Sequence, residues 1–178
     1  YLSPVVAMVL TVATGALLFE LMGKPAGAAL YAYFIQPFTT LYGASELGVK
    51  ATPLILIGLG LSVGFRANVW NIGAEGQLTL GAICGGAVAL AFHDVETPLL
   101  LPAMLIAGIL GGMAWAAVPA FLRVKFNANE ILVSLMLTYV ALLLLSYLVH
   151  GPLRDPDGFN FPESRLFHSS ATMPTLLP

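Results

Sequence analysis

The sequence predicts an all-α membrane protein, a polytopic helical bundle of about five membrane segments with a broken or re-entrant helix. Of its 178 residues, 58% are hydrophobic and only 9% are charged. Soluble domains carry about 25% charged residues, and a soluble chain of this composition would expose too much apolar surface to remain monomeric. The apolar residues also fall in stretches close to the roughly 20 residues that a spanning helix needs. We therefore expect a multi-pass membrane protein, surrounded by lipid.

The first 40 residues predict two different helices. Residues 2–22 are long and apolar enough to span a membrane, and the Gly- and Pro-containing residues 23–27 then break the helix. Residues 28–40 are shorter, more polar and aromatic. We expect them to form an interfacial helix whose rings lie at the level of the lipid headgroups.

Four further apolar runs follow. Residues 51–65 are too few to cross a bilayer at about 1.5 Å per residue, so the run either extends into its polar flanks or is half of a broken span. The remaining runs cover residues 78–92, 99–122 and 130–149. Small residues let helices approach closely in lipid, and they predict a tight-packing face at Gly108, Gly111 and Gly112.

A polar segment separates the runs 51–65 and 78–92. Polar groups are costly in hydrocarbon and usually face a cavity or a partner, and glycines beside them suggest a helix break. Asn71 and Glu75 would share one face if the segment were helical. Mixed donors and acceptors suit a neutral polar solute better than an ion. The candidate pathway residues are Asn68, Trp70, Asn71, Glu75 and Gln77.

Simpler interpretations of two of these residues remain open. Glu75 could be a solvated surface glutamate, or an acid at a helix start that interacts with the positive end of the helix dipole. Trp70 could be an anchor at the membrane interface, which is the commoner role of tryptophan in membrane proteins.

A second cluster follows the run 99–122. Residues 123–129 predict a basic loop, after which Asn129 caps a helix that begins with Glu130. The positive-inside rule places this loop, with Arg123 and Lys125, in the cytoplasm. The functional alternative for these four residues is contact with a cytoplasmic partner.

A third cluster, Arg154 and Asp155, lies in a predicted extracytoplasmic loop over residues 150–178. Its Asp-Pro and Asp-Gly pairs predict turns. An exposed turn is the simplest interpretation, and docking of a soluble receptor is the functional alternative.

Several functions are excluded or disfavoured by what the sequence lacks. It has no phosphate-binding GxxxxGK[ST] motif, no HExxH or Cys/His metal spacing and no GxSxG motif. Its few basic residues form no stripe for nucleic acid. Cys84 is the only cysteine, so no internal disulfide can form. We expect no catalytic residues, no metal site and no cofactor on this chain, and hence no enzyme activity of its own.

Three segments together resemble one family. Residues 64–78 (GFRANVWNIGAEGQL), 125–141 and 151–156 are similar to ATP-binding-cassette importer permeases of the nucleoside and simple-sugar branch, which are related to ribose and branched-chain amino-acid permeases. The order and spacing agree along nearly the whole chain. Thr138 departs from an Asn that is common in the family.

The resemblance implies a single transmembrane permease domain over residues 1–178, the N-terminal part of a longer permease of the plasma membrane that works by alternating access. It also implies a second permease subunit, cytoplasmic ATPase subunits that hold ATP and Mg²⁺, and an extracytoplasmic solute-binding protein. An ion-coupled secondary transporter is the alternative, because such proteins also contain broken helices and lone intramembrane acids. A membrane scaffold without transport is a third hypothesis.

Overall fold

The computed structural model describes residues 2–159 and 161–174, and every regular element within them is helical. Five of the helices, α1, α4, α5, α6 and α7, are long and apolar enough to cross a membrane. The prediction of an all-α protein with about five membrane segments is therefore confirmed. The described α-helices are α1 (Ser3–Leu21), α2 (Ala26–Phe34), α3 (Gln36–Thr39), α4 (Leu41–Arg66), α5 (Ala74–Ala91), α6 (Leu100–Phe126) and α7 (Glu130–His150), followed by a 3-10 turn at Ser169–Ala171.

The first compact unit comprises residues up to Gly60 and contains α1, α2, α3 and most of α4. After α1, Gly23 has a φ of 70°, a left-handed conformation that glycine adopts without steric cost. The predicted helix over 28–40 forms as two short helices that are interrupted at Ile35. Pro37 explains the interruption, because proline has no N–H to donate to the preceding turn and its ring clashes there.

Helix α4 is longer than its apolar run. It covers 26 residues, Leu41–Arg66, or about 39 Å at the usual helical rise. The run 51–65 therefore extends into its polar N-terminal flank, the first of the two alternatives. The chain then leaves helical geometry at residues 67–73 before α5 begins, so the predicted break lies between two helices that can each span.

The second compact unit, from Leu61 onward, is built around α5, which packs on both α6 and α7. Helices α5 and α6 meet through small residues: a Cβ atom added at Gly81 would lie 2.9 Å from the Gly108 carbonyl oxygen. A Cβ atom at Gly111 would lie 2.5 Å from the sulfur of Cys84, and one at Gly112 would lie 3.2 Å from a backbone oxygen of α5. The predicted tight-packing face on α6 is confirmed.

Helix α7 approaches the start of α5 in the same manner. A Cβ atom at Gly76 would lie 2.8 Å from the Cα atom of Thr138. On the facing side of α7, Ala141 is fully buried and Ser134 is 2% exposed. The starts of α5 and α7 and the end of α6 therefore lie at one end of this unit.

The chain after α7 returns over the other end of the unit. Ala171 packs with Ala89 of α5 and Leu100 of α6, and His168 Nε2 lies 3.3 Å from Glu96 Oε1. Of the predicted loop over 150–178, residues 160 and 175–178 lie outside the described part of the chain, and His150 is the last residue of α7.

Candidate functional site

A cavity of about 230 Å³ lies where α5 and α7 begin and α6 ends. Its apolar wall comes from α6, where Pro119 is buried. Two clusters that are separate in the sequence, residues 68–77 and residues 123–130, meet around it. The polar and aromatic side chains that line the cavity are Trp70, Asn71, Gln77, Arg123, Glu130 and Ser134.

Asn68 has a structural role at the end of α4. Its φ is 61°, the left-handed region in which asparagine is one of the few tolerated residues. Its N–H donates to the Phe65 carbonyl at 3.1 Å, and the N–H of Val69 donates to the Gly64 carbonyl at 3.0 Å. These two bonds form a Schellman motif that satisfies the last carbonyls of the helix. Asn68 is not among the residues that line the cavity.

Asn71 and Gln77 form a pair of amides beside the cavity. Asn71 Nδ2 donates to Gln77 Oε1 at 3.2 Å, and Gln77 Nε2 donates to Asn71 Oδ1 at 3.2 Å. Asn71 Oδ1 also accepts the N–H of Gly73 at 2.9 Å. Asn71 and Glu75 would share a face only if the segment were helical, and α5 begins only at Ala74, so Asn71 lies outside the helix. The partner of Asn71 is Gln77, six residues along the chain.

Ser134 is a site residue that sequence reasoning missed. Its hydroxyl oxygen accepts the N–H of Ile72 at 3.2 Å and donates to the Ile131 carbonyl at 3.2 Å. A Cβ atom at Gly73 would lie 2.9 Å from Ser134 Cβ, so the polar segment lies directly on α7. The available signal was a serine within an apolar span, since such residues often bond across helices in membranes.

The prediction of a basic loop over 123–129 is wrong for its first four residues, 123–126, which belong to α6. Arg123 and Lys125 lie in the last turn of α6, where positive charge interacts favourably with the helix dipole. Asn127 ends that helix with a φ of 51° and donates its N–H to the Arg123 carbonyl. Only residues 127–129 separate α6 from α7.

The predicted helix cap at Asn129 is confirmed. Asn129 Oδ1 accepts the N–H groups of Ile131 at 3.0 Å and Leu132 at 3.3 Å. Glu130 occupies the first turn of α7 and lies 3.3 Å from Arg123 Nε through its Oε2 atom. This ion pair joins the end of α6 to the start of α7 beside the cavity, and it neutralises the two charged groups there.

Trp70 and Glu75 take different positions around the site. Trp70 is half-exposed, lines the cavity and has its ring centroid 5.0 Å from that of Phe65. Glu75 is exposed in the first turn of α5 and is not among the lining residues. Its position matches that of an acid at a helix start, where it interacts favourably with the helix dipole.

Arg154 and Asp155 lie at the opposite end of the unit, after α7. Asp155 Oδ1 accepts the N–H of Asp157 at 3.1 Å, which forms the predicted turn. Its backbone N–H donates to the Glu163 carbonyl at 2.8 Å. Arg154 and Arg165 line a separate recess of about 220 Å³. Among the described residues, no group of three or more His, Cys, Asp or Glu could hold a metal ion.

Comparison with known proteins identifies the family. Residues 43–177 match the family described as branched-chain amino acid transport system, permease component. A glucose ABC transporter permease protein of Haloferax volcanii is 41% identical over 178 residues, which is 99% of this chain and 46% of that protein. A guanosine ABC transporter permease protein of Bacillus subtilis is 33% identical over 172 residues, which is 97% of this chain and 48% of that protein.

A nucleoside ABC transporter permease protein of Lactococcus lactis is 28% identical over 150 residues, which is 84% of this chain and 41% of that protein. The chain therefore spans about half the length of the curated relatives it matches, and no solved structure matches it. These relatives are transport permeases rather than enzymes, and the family resemblance found in the sequence is confirmed. The chain belongs to the branched-chain amino acid transport permease family and is a multi-pass protein of the plasma membrane.

Proposed function

We propose that the whole protein is the permease subunit of an ATP-binding-cassette importer. It translocates a small neutral polar solute, a nucleoside or a simple sugar, across the plasma membrane. The observation that carries the proposal is the cavity between α5, α6 and α7, in which Asn71 and Gln77 lie side by side. The names of the relatives, which specify glucose, guanosine and nucleosides, support the same class of solute.

The chemistry of the cavity favours an uncharged solute. Its two charged residues, Arg123 and Glu130, are paired with each other, so the lining carries no net charge for an ion to balance. The two amides supply both donors and acceptors. Trp70 adds an aromatic face on which a ring-shaped solute can pack. Glucose and guanosine are both neutral ring molecules with several hydroxyl groups.

The partners follow from the proposed mechanism. A second permease subunit completes the pathway, and cytoplasmic ATPase subunits hold ATP and Mg²⁺ and bias the permease between two states. The basic residues Arg66, Arg123 and Lys125 at the cavity end support a cytoplasmic location for that end. An extracytoplasmic solute-binding protein then docks at the opposite end, near Arg154 and Asp155.

The proposal is tested by uptake into proteoliposomes that contain the complete importer. Radiolabelled guanosine and D-glucose serve as probes, with and without ATP. Gln77→Leu replaces the amide by an apolar side chain of similar size. It should lower the ratio of maximal uptake rate to apparent KM about tenfold, as expected for the loss of one or two hydrogen bonds. Thr79→Val on the same helix is the matched control, because the Thr79 hydroxyl donates to the Glu75 carbonyl within its own helix and Thr79 is not among the residues that line the cavity.

Two outcomes would contradict this function. Equal uptake by Gln77→Leu, Thr79→Val and wild type at matched protein levels would remove the amide pair from the pathway. Uptake that needs an ion gradient and proceeds without ATP would identify an ion-coupled secondary transporter instead.

A further inference from the structure

We propose that Ser134 is the positioning residue of the solute site, and that it determines which hydrogen-bonding groups the amide pair Asn71–Gln77 presents to a ligand. The inference that this ligand is the transported solute rests on the proposed function. The positioning role rests on contacts within the second compact unit alone.

Ser134 connects the polar segment to α7 at one point. Its hydroxyl accepts the N–H of Ile72 and donates to the Ile131 carbonyl. The side chain is almost fully buried, so water does not readily replace these bonds. The absence of a side chain at Gly73 lets the segment lie against Ser134. The backbone between Asn71 and Gly73 is thereby fixed against the start of α7.

The fixed backbone also determines the orientation of both amides. The N–H of Gly73 can only donate, so the group that Asn71 turns toward it must be Oδ1. Asn71 Nδ2 then faces Gln77 Oε1, and Gln77 Nε2 faces Asn71 Oδ1. A rotation of either amide by half a turn would place two donors or two acceptors against each other.

The remaining hydrogen-bonding capacity of the pair defines the ligand. Asn71 Oδ1 already accepts from Gly73 and Gln77. Within the described residues, one N–H on Asn71 Nδ2, one N–H on Gln77 Nε2 and one lone pair on Gln77 Oε1 remain. Two donors and one acceptor fit a neutral group with two acceptor lone pairs and one hydrogen to donate. Neighbouring hydroxyl groups of a sugar ring can supply this pattern, and so can the carbonyl and N–H edge of a guanine base.

Removal of the Ser134 hydroxyl should weaken ligand binding without unfolding the unit. In Ser134→Ala, the N–H of Ile72 loses its acceptor and the segment can move, while the glycine contacts between α5 and α6 remain. Thr138→Val is the matched control. Thr138 carries another buried hydroxyl on the same face of α7. Among the described residues, this hydroxyl donates only to the Ser134 carbonyl within its own helix.

The first measurement is amide hydrogen exchange of the complete importer, read on peptides that contain residues 71–73. Exchange there should accelerate about tenfold in Ser134→Ala and stay at the wild-type rate in Thr138→Val, because only the first variant removes an acceptor from the segment. Unchanged exchange in Ser134→Ala would overturn the positioning role. This result does not depend on which solute is transported.

The second measurement is uptake of radiolabelled guanosine and D-glucose, each compared with a deoxy analogue. Ser134→Ala should raise the apparent KM for the transported probe about fivefold, the effect of roughly one hydrogen bond, with little change in maximal rate. It should also reduce the preference over the deoxy analogue. A lower maximal rate with unchanged KM and preference would indicate a merely structural role and overturn the inference.

The exchange and uptake measurements distinguish a failure of the proposed function from a failure of the proposed role of Ser134. If the wild-type importer takes up neither probe, the proposed function fails, while hydrogen exchange still decides the role of Ser134. If guanosine is taken up and glucose is not, the ligand edge is that of a nucleoside, and the opposite result assigns it to a sugar.

Discussion

The replacement of Gly81 by alanine should destabilise the contact between α5 and α6, whereas the same replacement at Gly86 on the same helix should not. At Gly81 the new Cβ atom would lie 2.9 Å from the backbone oxygen of Gly108. At Gly86 it would lie 3.4 Å from the tip of the Phe167 ring, which is an ordinary contact with a side chain that can move.

The expected change in the free energy of unfolding follows from two opposing effects. Alanine in a helix interior is favoured over glycine by about 0.5–1 kcal/mol, and both variants gain this term. An extra methyl group in a tightly packed contact costs about 1–3 kcal/mol, and only Gly81→Ala has to displace a backbone atom. Gly86→Ala should therefore be slightly more stable than wild type, and Gly81→Ala should be less stable by about 1 kcal/mol.

The assay is thermal unfolding of the purified full-length protein in one detergent, followed by far-ultraviolet circular dichroism. The unfolding midpoint should be highest for Gly86→Ala, intermediate for wild type and lowest for Gly81→Ala. A midpoint for Gly81→Ala equal to or above that of Gly86→Ala would refute the close packing of α5 on α6.

Two further predictions concern the junction between α6 and α7. Asn129→Ala should lower the free energy of unfolding by about 1 kcal/mol, because two N–H groups at the start of α7 lose their cap. Asn129→Asp should keep the cap, so equal unfolding midpoints for the two variants would contradict the capping role. Glu130→Gln should change the free energy of unfolding by less than about 1 kcal/mol, because the ion pair with Arg123 is partly exposed. A larger loss of stability would contradict this partial exposure.

The elements that depend on local sequence were predictable. Apolar runs of sufficient length marked the spans, and Asn129 beside Glu130 marked the start of α7. The end of α6 was placed too early, because Arg123 and Lys125 suggest a loop by their charge. Both are good helix formers, and the helix continues until Asn127 adopts a left-handed conformation.

The composition of the site could be predicted only in part. Trp70, Asn71 and Gln77 were candidates because polar residues between apolar runs require an explanation. Their association with Arg123 and Glu130 depends on how α6 and α7 pack around α5, and no local sequence pattern predicts this packing. Ser134 is 62 residues from Ile72, to which it bonds, and a single serine in an apolar helix does not identify its partner.

Whether solute enters the cavity can be measured by protection of a cysteine. Ala120 lines the cavity, so Ala120→Cys in a Cys84→Ser background places one reactive thiol of this chain there, with Lys125→Cys at the exposed end of α6 as the control. In the complete importer, saturating guanosine or D-glucose should slow maleimide modification of Ala120→Cys and leave Lys125→Cys unaffected. If solute leaves the modification rate of Ala120→Cys unchanged, as it should that of Lys125→Cys, the cavity is not part of the solute pathway.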